Sequence, residues 1–283
     1  MRFLTCLFVC SLIGGCPPLP PPDPTPVPGK EFVYFDNPRC AGYGPVNYWR
    51  DIAPQEAAQR VAAAGLDMYH IELLGWAETH SSASVAVSAY RELLKECRKH
   101  KIVLFTSIWN NNSHLSKYGN TPWTPSMAEL NECLEAIIAE GPEGQIVQPV
   151  GETQTSQGKQ FESAAWSRLS QAHIRTCYNR GSRPANPPAG WDYAAFHPVS
   201  MGQTIPAGAV CVTDTGAILR GRGRAAGWPR ELGGYEKFNP ETVRLYANQC
   251  LNGWKRPLIL YGFLHKELDV EAMTVLGKVK KGQ

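Results

Sequence analysis

The sequence predicts an α/β fold of the (β/α)8 (TIM) barrel class on three observations. Short apolar or β-branched runs alternate with longer amphipathic runs, which is the pattern of βα units around a parallel sheet. Eight short runs fit into about 250 residues, the usual length of such a barrel. The first run lacks the glycine-rich turn that a doubly wound nucleotide-binding sheet would more often carry. The barrel is therefore favoured over an open sheet.

The composition is that of a globular protein. Of the 283 residues, 43% are apolar and 19% are charged, which excludes a wholly disordered, collagen-like or coiled-coil chain. The formal net charge of +3 gives no reason to expect a nucleic-acid partner. The nine cysteines form no C-x-x-C pair, so neither a zinc site nor a dense disulfide framework is expected. We expect Cys97, Cys133, Cys177, Cys211 and Cys250 to be small core fillers, with one disulfide as an open alternative.

Helices are predicted between most of the eight strands. The predicted strands cover residues 31–36, 68–74, 102–109, 145–150, 176–178, 193–197, 209–214 and 257–261. The predicted helices cover 54–64, 84–100, 126 to near 141, 160–174, 239–254 and a last one from 269. Proline in the first turn begins the first helix, and a capping box from Ser126 to Glu129 begins the third. The loop between the fifth and sixth strands is rich in Pro and Gly, so helices there are expected to be degenerate.

Three segments are predicted along the chain: a signal peptide (1–15), an acylated cysteine with a Pro-rich tether (16–29) and a barrel domain (30–283). The signal has a charged start and an apolar run too short to span a bilayer as a helix. The tether holds eight prolines and should extend roughly 35 Å. The small residues before Cys16 resemble a bacterial lipoprotein signal, which implies acylation of Cys16 and a membrane anchor in the cell envelope, facing the periplasm or the exterior. A plain secretory signal with an incidental Cys16 is the alternative.

Polar residues that follow the apolar runs are the candidates for chemistry, because active sites of such barrels lie at the carboxyl ends of the strands. Indoles stack on sugar rings while amides and carboxylates bind hydroxyls, so a carbohydrate cleft is expected. Its predicted lining is Glu72, Trp76, Trp109, Asn110, His197 and Tyr261. Asp36, Asn37 and Asn179 are expected at the same rim. The tryptophans could instead cap the core.

Glu72 has a second interpretation from strand parity. His70 and Glu72 alternate along one side of the second predicted strand, so both are expected to point into the barrel. A buried Glu needs a partner such as His70 or an Arg. The pair is therefore either part of the site or a structural pair inside the barrel.

The layout resembles exported (β/α)8 glycoside hydrolases, in particular the clan with its acid/base Glu at the end of strand 4. Glu152 matches that position, although Gly151 stands where the clan has Asn. Asp214 ends the seventh strand, where the clan has a Glu nucleophile. The resemblance implies hydrolysis of a poly- or oligosaccharide outside the cytoplasm by two carboxylates, one protonating the leaving oxygen and one attacking or activating water. A loop-surface Glu152 and a turn-forming Asp214 are the structural alternatives.

The rival function is a non-catalytic carbohydrate- or envelope-binding lipoprotein on a decayed barrel. In both cases the expected partners are a carbohydrate and, through the lipid anchor, a membrane. No metal or organic cofactor is implied, and a monomer is expected.

Overall fold

Eight parallel strands close into a barrel in chain order. The computed structural model describes residues 30–44, 49–74, 82–110, 124–151, 155–179, 181, 187–197, 205, 211–212, 240–261 and 266–283. The strands are β1 (Ala41–Gly44), β2 (Met68–Glu72), β3 (Val103–Asn110), β4 (Gln145–Gly151), β5 (Arg175–Asn179), β6 (Tyr193–Phe196), β7 (Cys211–Val212) and β8 (Leu258–Tyr261). Because β8 pairs with β1, the sheet has no free edge and the predicted (β/α)8 class is confirmed.

Helices cover the outside of this barrel. They are a short 3-10 helix (Trp49–Asp51), α1 (Pro54–Ala63), α2 (Ala83–Lys99), α3 (Met127–Ala139), α4 (Ser156–Gln171), α5 (Pro240–Asn248) with a π-helical extension (Gln249–Gly253), and α6 (Lys266–Lys280). The predicted capping box is present, since the Ser126 hydroxyl accepts the Glu129 N–H at 3.2 Å and Glu129 accepts the Ser126 N–H at 2.8 Å. Within the described part of the chain, no helix is both long and apolar enough to cross a membrane.

The first strand is not where the apolar pattern placed it. The prediction of a strand over 31–36 is wrong, because these residues form no strand and β1 begins at Ala41. Space between β2 and β8 explains the difference. A Cβ on Gly42 would lie 2.5 Å from Ile259 Cδ1, and a Cβ on Gly44 would lie 2.7 Å from His70 Cβ. Both positions of β1 require glycine, and a strand prediction based on apolar residues does not detect glycines.

Residues 30–40 instead form a bottom plug, which closes the barrel at the amino ends of its strands. Phe35 packs edge-on against Phe105 and Tyr193, with ring centroids 5.5 and 5.3 Å away. The Tyr193 hydroxyl donates to Asp36 Oδ2 at 2.8 Å. Asp36 and its neighbour Asn37 therefore lie at the opposite end from the rim on which they were expected.

Apolar side chains fill the lower half of the barrel around this plug. The inner cluster comprises Phe35, Cys40, Met68, Val103, Phe105, Ile146, Cys177, Tyr193, Ala195, Cys211 and Ile259. A larger apolar cluster lies between the strands and the helices, and α2 contributes Tyr90, Leu94 and Cys97 to it. The fold is thus held by two apolar layers, one inside the barrel and one around it.

All six described cysteines are buried free thiols: Cys40, Cys97, Cys133, Cys177, Cys211 and Cys250. The prediction that the helix and strand cysteines are core fillers is confirmed. Burial raises the pKa of the Cys133 thiol to about 12 and raises the pKa of Cys97 further. Such thiols stay protonated at neutral pH and pack as small apolar groups.

Candidate active site at the barrel mouth

Polar side chains replace apolar ones in the half of the barrel nearest the carboxyl ends of the strands, here called the mouth. On β2 the inward positions run from Met68 to His70 to Glu72, as the strand parity predicted. The His70 ring stacks on Phe105 of the inner apolar cluster, with centroids 4.3 Å apart. This contact marks the level at which the interior changes from apolar to polar.

Five buried side chains form a continuous hydrogen-bonded chain across the mouth, here called the inner polar row. Gln148 Nε2 donates to Ser107 Oγ at 2.9 Å, and Ser107 Oγ lies 2.9 Å from His70 Nε2. Asn179 Nδ2 donates to Gln148 Oε1 at 2.9 Å and lies 2.7 Å from His197 Nε2. Every member is at most 6% exposed. The row links four consecutive strands to the residue that follows β6.

The amides fix part of the donor pattern in this row. The amide of Asn179 has two protons, and they go to Gln148 Oε1 and His197 Nε2. Ser107 Oγ accepts from Gln148 and shares a hydrogen bond with His70 Nε2, in which the donor is set by the tautomer of His70. Because His197 accepts at Nε2, its imidazole is neutral.

Electrostatics favours the same protonation state for His70. Burial holds the pKa of His70 well below the usual range, and repulsion from a protonated His197 would lower it further. The far end of the row is fixed by the backbone, because the Gly181 N–H donates to Asn179 Oδ1 at 2.7 Å. The inner polar row is thus a preorganised set of neutral donors and acceptors.

Glu72 and Asn110 lie on the outer side of this row. Asn110 Nδ2 donates to Glu72 Oε1 at 2.7 Å, and the Trp49 indole donates to the Glu72 backbone carbonyl at 2.8 Å. Glu72 is 1% exposed. Asn110 Oδ1 is buried and meets no hydrogen-bond donor among the described residues. It is therefore a buried acceptor whose hydrogen bond is not supplied by the described part of the protein.

Asn110 also borders the residue that precedes Glu152. A Cβ built on Gly151 would lie 3.4 Å from Asn110 Cγ and 3.0 Å from Gln148 Nε2. Two side-chain amides therefore surround the position where the sequence has no side chain of its own.

The predicted site residues fall into two groups. Glu72, Asn110 and His197 lie together at the mouth, and Tyr261 is the last residue of β8, paired with Gly44. Trp109 is 2% exposed and packs in the apolar cluster between strands and helices, the capping position that the sequence left open for tryptophans. The remaining predicted site residues lie outside the described residues: Cys16, Trp76, Glu152 and Asp214.

Ser107, Gln148 and Trp49 were not predicted as site residues. Ser107 and Gln148 sit within apolar strands, but each occupies an inward position two residues after an inner apolar side chain. This alternation along the strands was the sequence signal that could have identified them as site residues. Trp49 was missed because it follows β1, and the sequence placed that strand too early in the chain. Within the described residues, no group of three His, Cys, Asp or Glu side chains could hold a metal ion.

The fold and this mouth define a closed (β/α)8 barrel with a buried polar centre at the catalytic end of the architecture. Solved structures with a similar fold are glycoside hydrolases. A glycoside hydrolase family 5 protein from Bacteroides vulgatus aligns with a TM-score of 0.54 at 12% identity, over 78% of this chain and 57% of that one. This chain thus spans little more than half the length of that protein.

Two further structures are similar at the same level. The glycoside hydrolase family 30 subfamily 8 xylanase from Clostridium acetobutylicum has a TM-score of 0.52 at 15% identity, covering 86% of this chain and 71% of its own. The endo-1,4-β-D-mannanase from Thermotoga petrophila has a TM-score of 0.51 at 9% identity, covering 85% and 99%. No protein-family model and no curated protein matches the sequence. These likenesses establish the fold.

Proposed function

We propose that this protein is a glycoside hydrolase that cleaves a poly- or oligosaccharide outside the cytoplasm. The observation that carries the proposal is the inner polar row with Glu72 and Asn110 beside it, at the end of the barrel where active sites lie. Fixed amides, hydroxyls and a carboxylate are the groups that bind sugar hydroxyls.

Stability does not account for this arrangement. A buried hydrogen bond contributes only about 1 kcal/mol net, because both partners give up bonds to water. Apolar side chains in the same places would fill the barrel at least as well, as they do in its lower half. Preorganised polar groups are what a binding or catalytic site requires.

The two catalytic carboxylates of the proposal are Glu152 and Asp214. Glu152 directly follows Gly151, the last residue of β4, and Asp214 comes two residues after Val212, the last residue of β7. In the barrel, β5 and β6 lie between these two strands. One carboxyl would protonate the glycosidic oxygen, and the other would attack the anomeric carbon or activate water.

Asn110 supports a sugar-binding role for the site beside Glu152. Its Oδ1 can accept a bond from a sugar hydroxyl while its Nδ2 remains on Glu72. It stands next to Gly151, where the clan that the sequence resembles carries an Asn. The substrate-contacting amide is therefore supplied from β3 instead of β4.

The test measures reducing ends released by the full chain from plant, bacterial and host glycans. Glu152→Gln should lower the rate about a hundredfold or more, the usual scale for a lost general acid. Glu132→Gln, at an exposed position on α3, is the matched control and should leave the rate unchanged. Asp214→Asn, with the anomer of the product, assigns the second role. Activity that survives both site substitutions contradicts the proposal.

A non-catalytic carbohydrate-binding protein is the second candidate. Gly151 before Glu152 and Asp at the end of β7 both depart from the hydrolase pattern, and they favour this reading. This second candidate would be supported if the chain retained a glycan but showed no cleavage that depends on Glu152.

We also propose that the chain is exported and held in the cell envelope through acylated Cys16. Cells fed a labelled fatty acid should incorporate label into the wild-type chain and none into Cys16→Ser. Label in Cys16→Ser, or none in the wild type, contradicts the anchor.

A further inference from the structure

Basic side chains gather on one sector of the barrel bottom. This basic sector consists of Lys30, Arg39, Lys255, Arg256, Lys278, Lys280 and Lys281. Its members come from the bottom plug, the turn before β8 and the end of α6. All of these segments meet at the amino ends of β1 and β8.

Contacts show that these segments form one continuous surface. The Arg39 guanidinium donates to the Asn252 side chain at 2.8 Å and to the backbone carbonyls of Val279 and Lys280. Lys280 Nζ lies 2.6 Å from Asp67 Oδ1 and 2.9 Å from the Gly65 carbonyl. Arg39 ties the end of α6 to the π-helical extension of α5, which precedes β8.

Positive charge is in excess on this surface. Asp67, the acid in contact with the sector, is buried and bonded to Lys280. Glu31 follows Lys30 in the chain. Cations commonly gather at helix carboxyl ends, which accounts for Lys278 and Lys280 in the last turn of α6. The same effect covers Arg39, which donates to the last carbonyls of α6, and Lys255, which follows the carboxyl end of the π-helical extension of α5, but it does not account for Lys30.

The sector is also where the N-terminal segment joins the folded chain. Lys30 is the first described residue, and it begins the bottom plug, opposite the mouth. A membrane-bound tether would therefore bring this face toward the bilayer.

We propose that the basic sector docks on anionic phospholipid headgroups, so that the barrel stands on the membrane with its mouth pointing away. The proposal rests on the export and anchoring proposed above, and it is independent of the catalytic assignment. Each Lys or Arg near an anionic surface adds an electrostatic attraction to it. This attraction decays over about one Debye length from the surface and is screened by high salt. Docking thus fixes the direction in which the mouth faces.

The test uses the full chain on vesicles of phosphatidylcholine alone and on vesicles with about one-third phosphatidylglycerol. Acetylation of individual lysines is followed by mass spectrometry. On the anionic vesicles, Lys278 and Lys281 should react about threefold or more slowly than on the neutral ones, and salt of about 0.5 M should abolish the difference. Lys159, near the start of α4 on the mouth side, should react equally on both.

Charge-reversal variants then distinguish electrostatic docking of the sector from mere closeness of the protein to the membrane. In the wild type, Lys255 should also react more slowly on anionic vesicles, and in Lys278→Glu/Lys281→Glu this protection of Lys255 should be lost. Lys95→Glu/Lys159→Glu changes the net charge equally at exposed positions outside the sector, and it should retain the effect. Equal acetylation on the two vesicle types, or equal behaviour of the two variants, overturns the proposal. The experiment compares two lipid compositions, so it tests the electrostatic contribution of the basic sector whether or not Cys16 is acylated.

Discussion

The two ends of the barrel interior are filled by opposite kinds of side chain. At the bottom, Phe35 lies edge-on between Phe105 and Tyr193 in an apolar cluster. At the mouth, the same strands carry the hydrogen-bonded inner polar row. Burying an aromatic side chain stabilises a fold by a few kcal/mol, whereas a hydrogen bond contributes about 1 kcal/mol net. The bottom therefore stabilises the barrel, and the mouth orients polar groups for a ligand.

Phe35→Ala should have the largest effect on stability. Loss of the central ring of the plug leaves a cavity against Phe105 and Tyr193, so the free energy of unfolding should fall by about 3–5 kcal/mol in urea denaturation. Val85→Ala, at a side chain 56% exposed, should change it by less than about 0.5 kcal/mol. A loss below about 1 kcal/mol for Phe35→Ala would mean that the plug does not seal the core.

Gln148→Met tests what the mouth contributes beyond stability. It removes the hydrogen bonds that Ser107 and Asn179 make to Gln148, so the free energy of unfolding should fall by about 2–3 kcal/mol, and glycan binding should be lost. Gln145→Met is the matched control, because Gln145 lies on the outer face of β4 and accepts from the Tyr90 hydroxyl. It should cost similar stability and leave glycan affinity intact. Equal binding defects in the two variants would refute a functional role for the row.

Acid should weaken the fold through His70. Its folded-state pKa lies well below that of an unfolded His, near 6.5, so below that pH the unfolded chain binds the extra proton. The free energy of unfolding should then fall as pH drops from about 6.5 to 5, by up to about 1.4 kcal/mol per unit. His70→Asn should show a shallower slope in denaturation measured across this range. An unchanged slope would show that His70 is not the group that titrates.

Asn110→Ala should have the smallest energetic effect and the most local one. Removal of the buried acceptor should weaken glycan binding about tenfold, or 1.4 kcal/mol, in isothermal titration. Asn131→Ala, at an exposed position on α3, is the control and should bind as the wild type does. Unaltered affinity in Asn110→Ala would remove it from the sugar site.

Much of the barrel could be predicted because periodicity and caps are local. The apolar runs gave β2, β3 and β4 within two residues, and the Ser126 capping box gave the start of α3. The first strand could not be found in this way. Its glycines are selected by contact with Ile259 and His70, which lie far away in the chain.

The site was predictable only in part, for a similar reason. Strand parity correctly turned His70 and Glu72 inward, because alternation is a property of a single strand. Gln148 gives no such local signal, because the sequence of an apolar strand does not tell whether its single polar residue faces the barrel interior or the helices. Its role appears only when Ser107 and Asn179 lie beside it on neighbouring strands.

The bottom plug has a consequence for the order in which the chain matures. Its residues are made before any strand, yet the bond from Tyr193 to Asp36 spans 157 positions. Contacts between such distant residues form slowly, since the loop between them must close first. During synthesis, Phe35 of the plug therefore stays uncovered until β6 has been made. Until then Phe35 is an exposed hydrophobic group of the kind that chaperones bind, and sealing of the barrel ends that exposure.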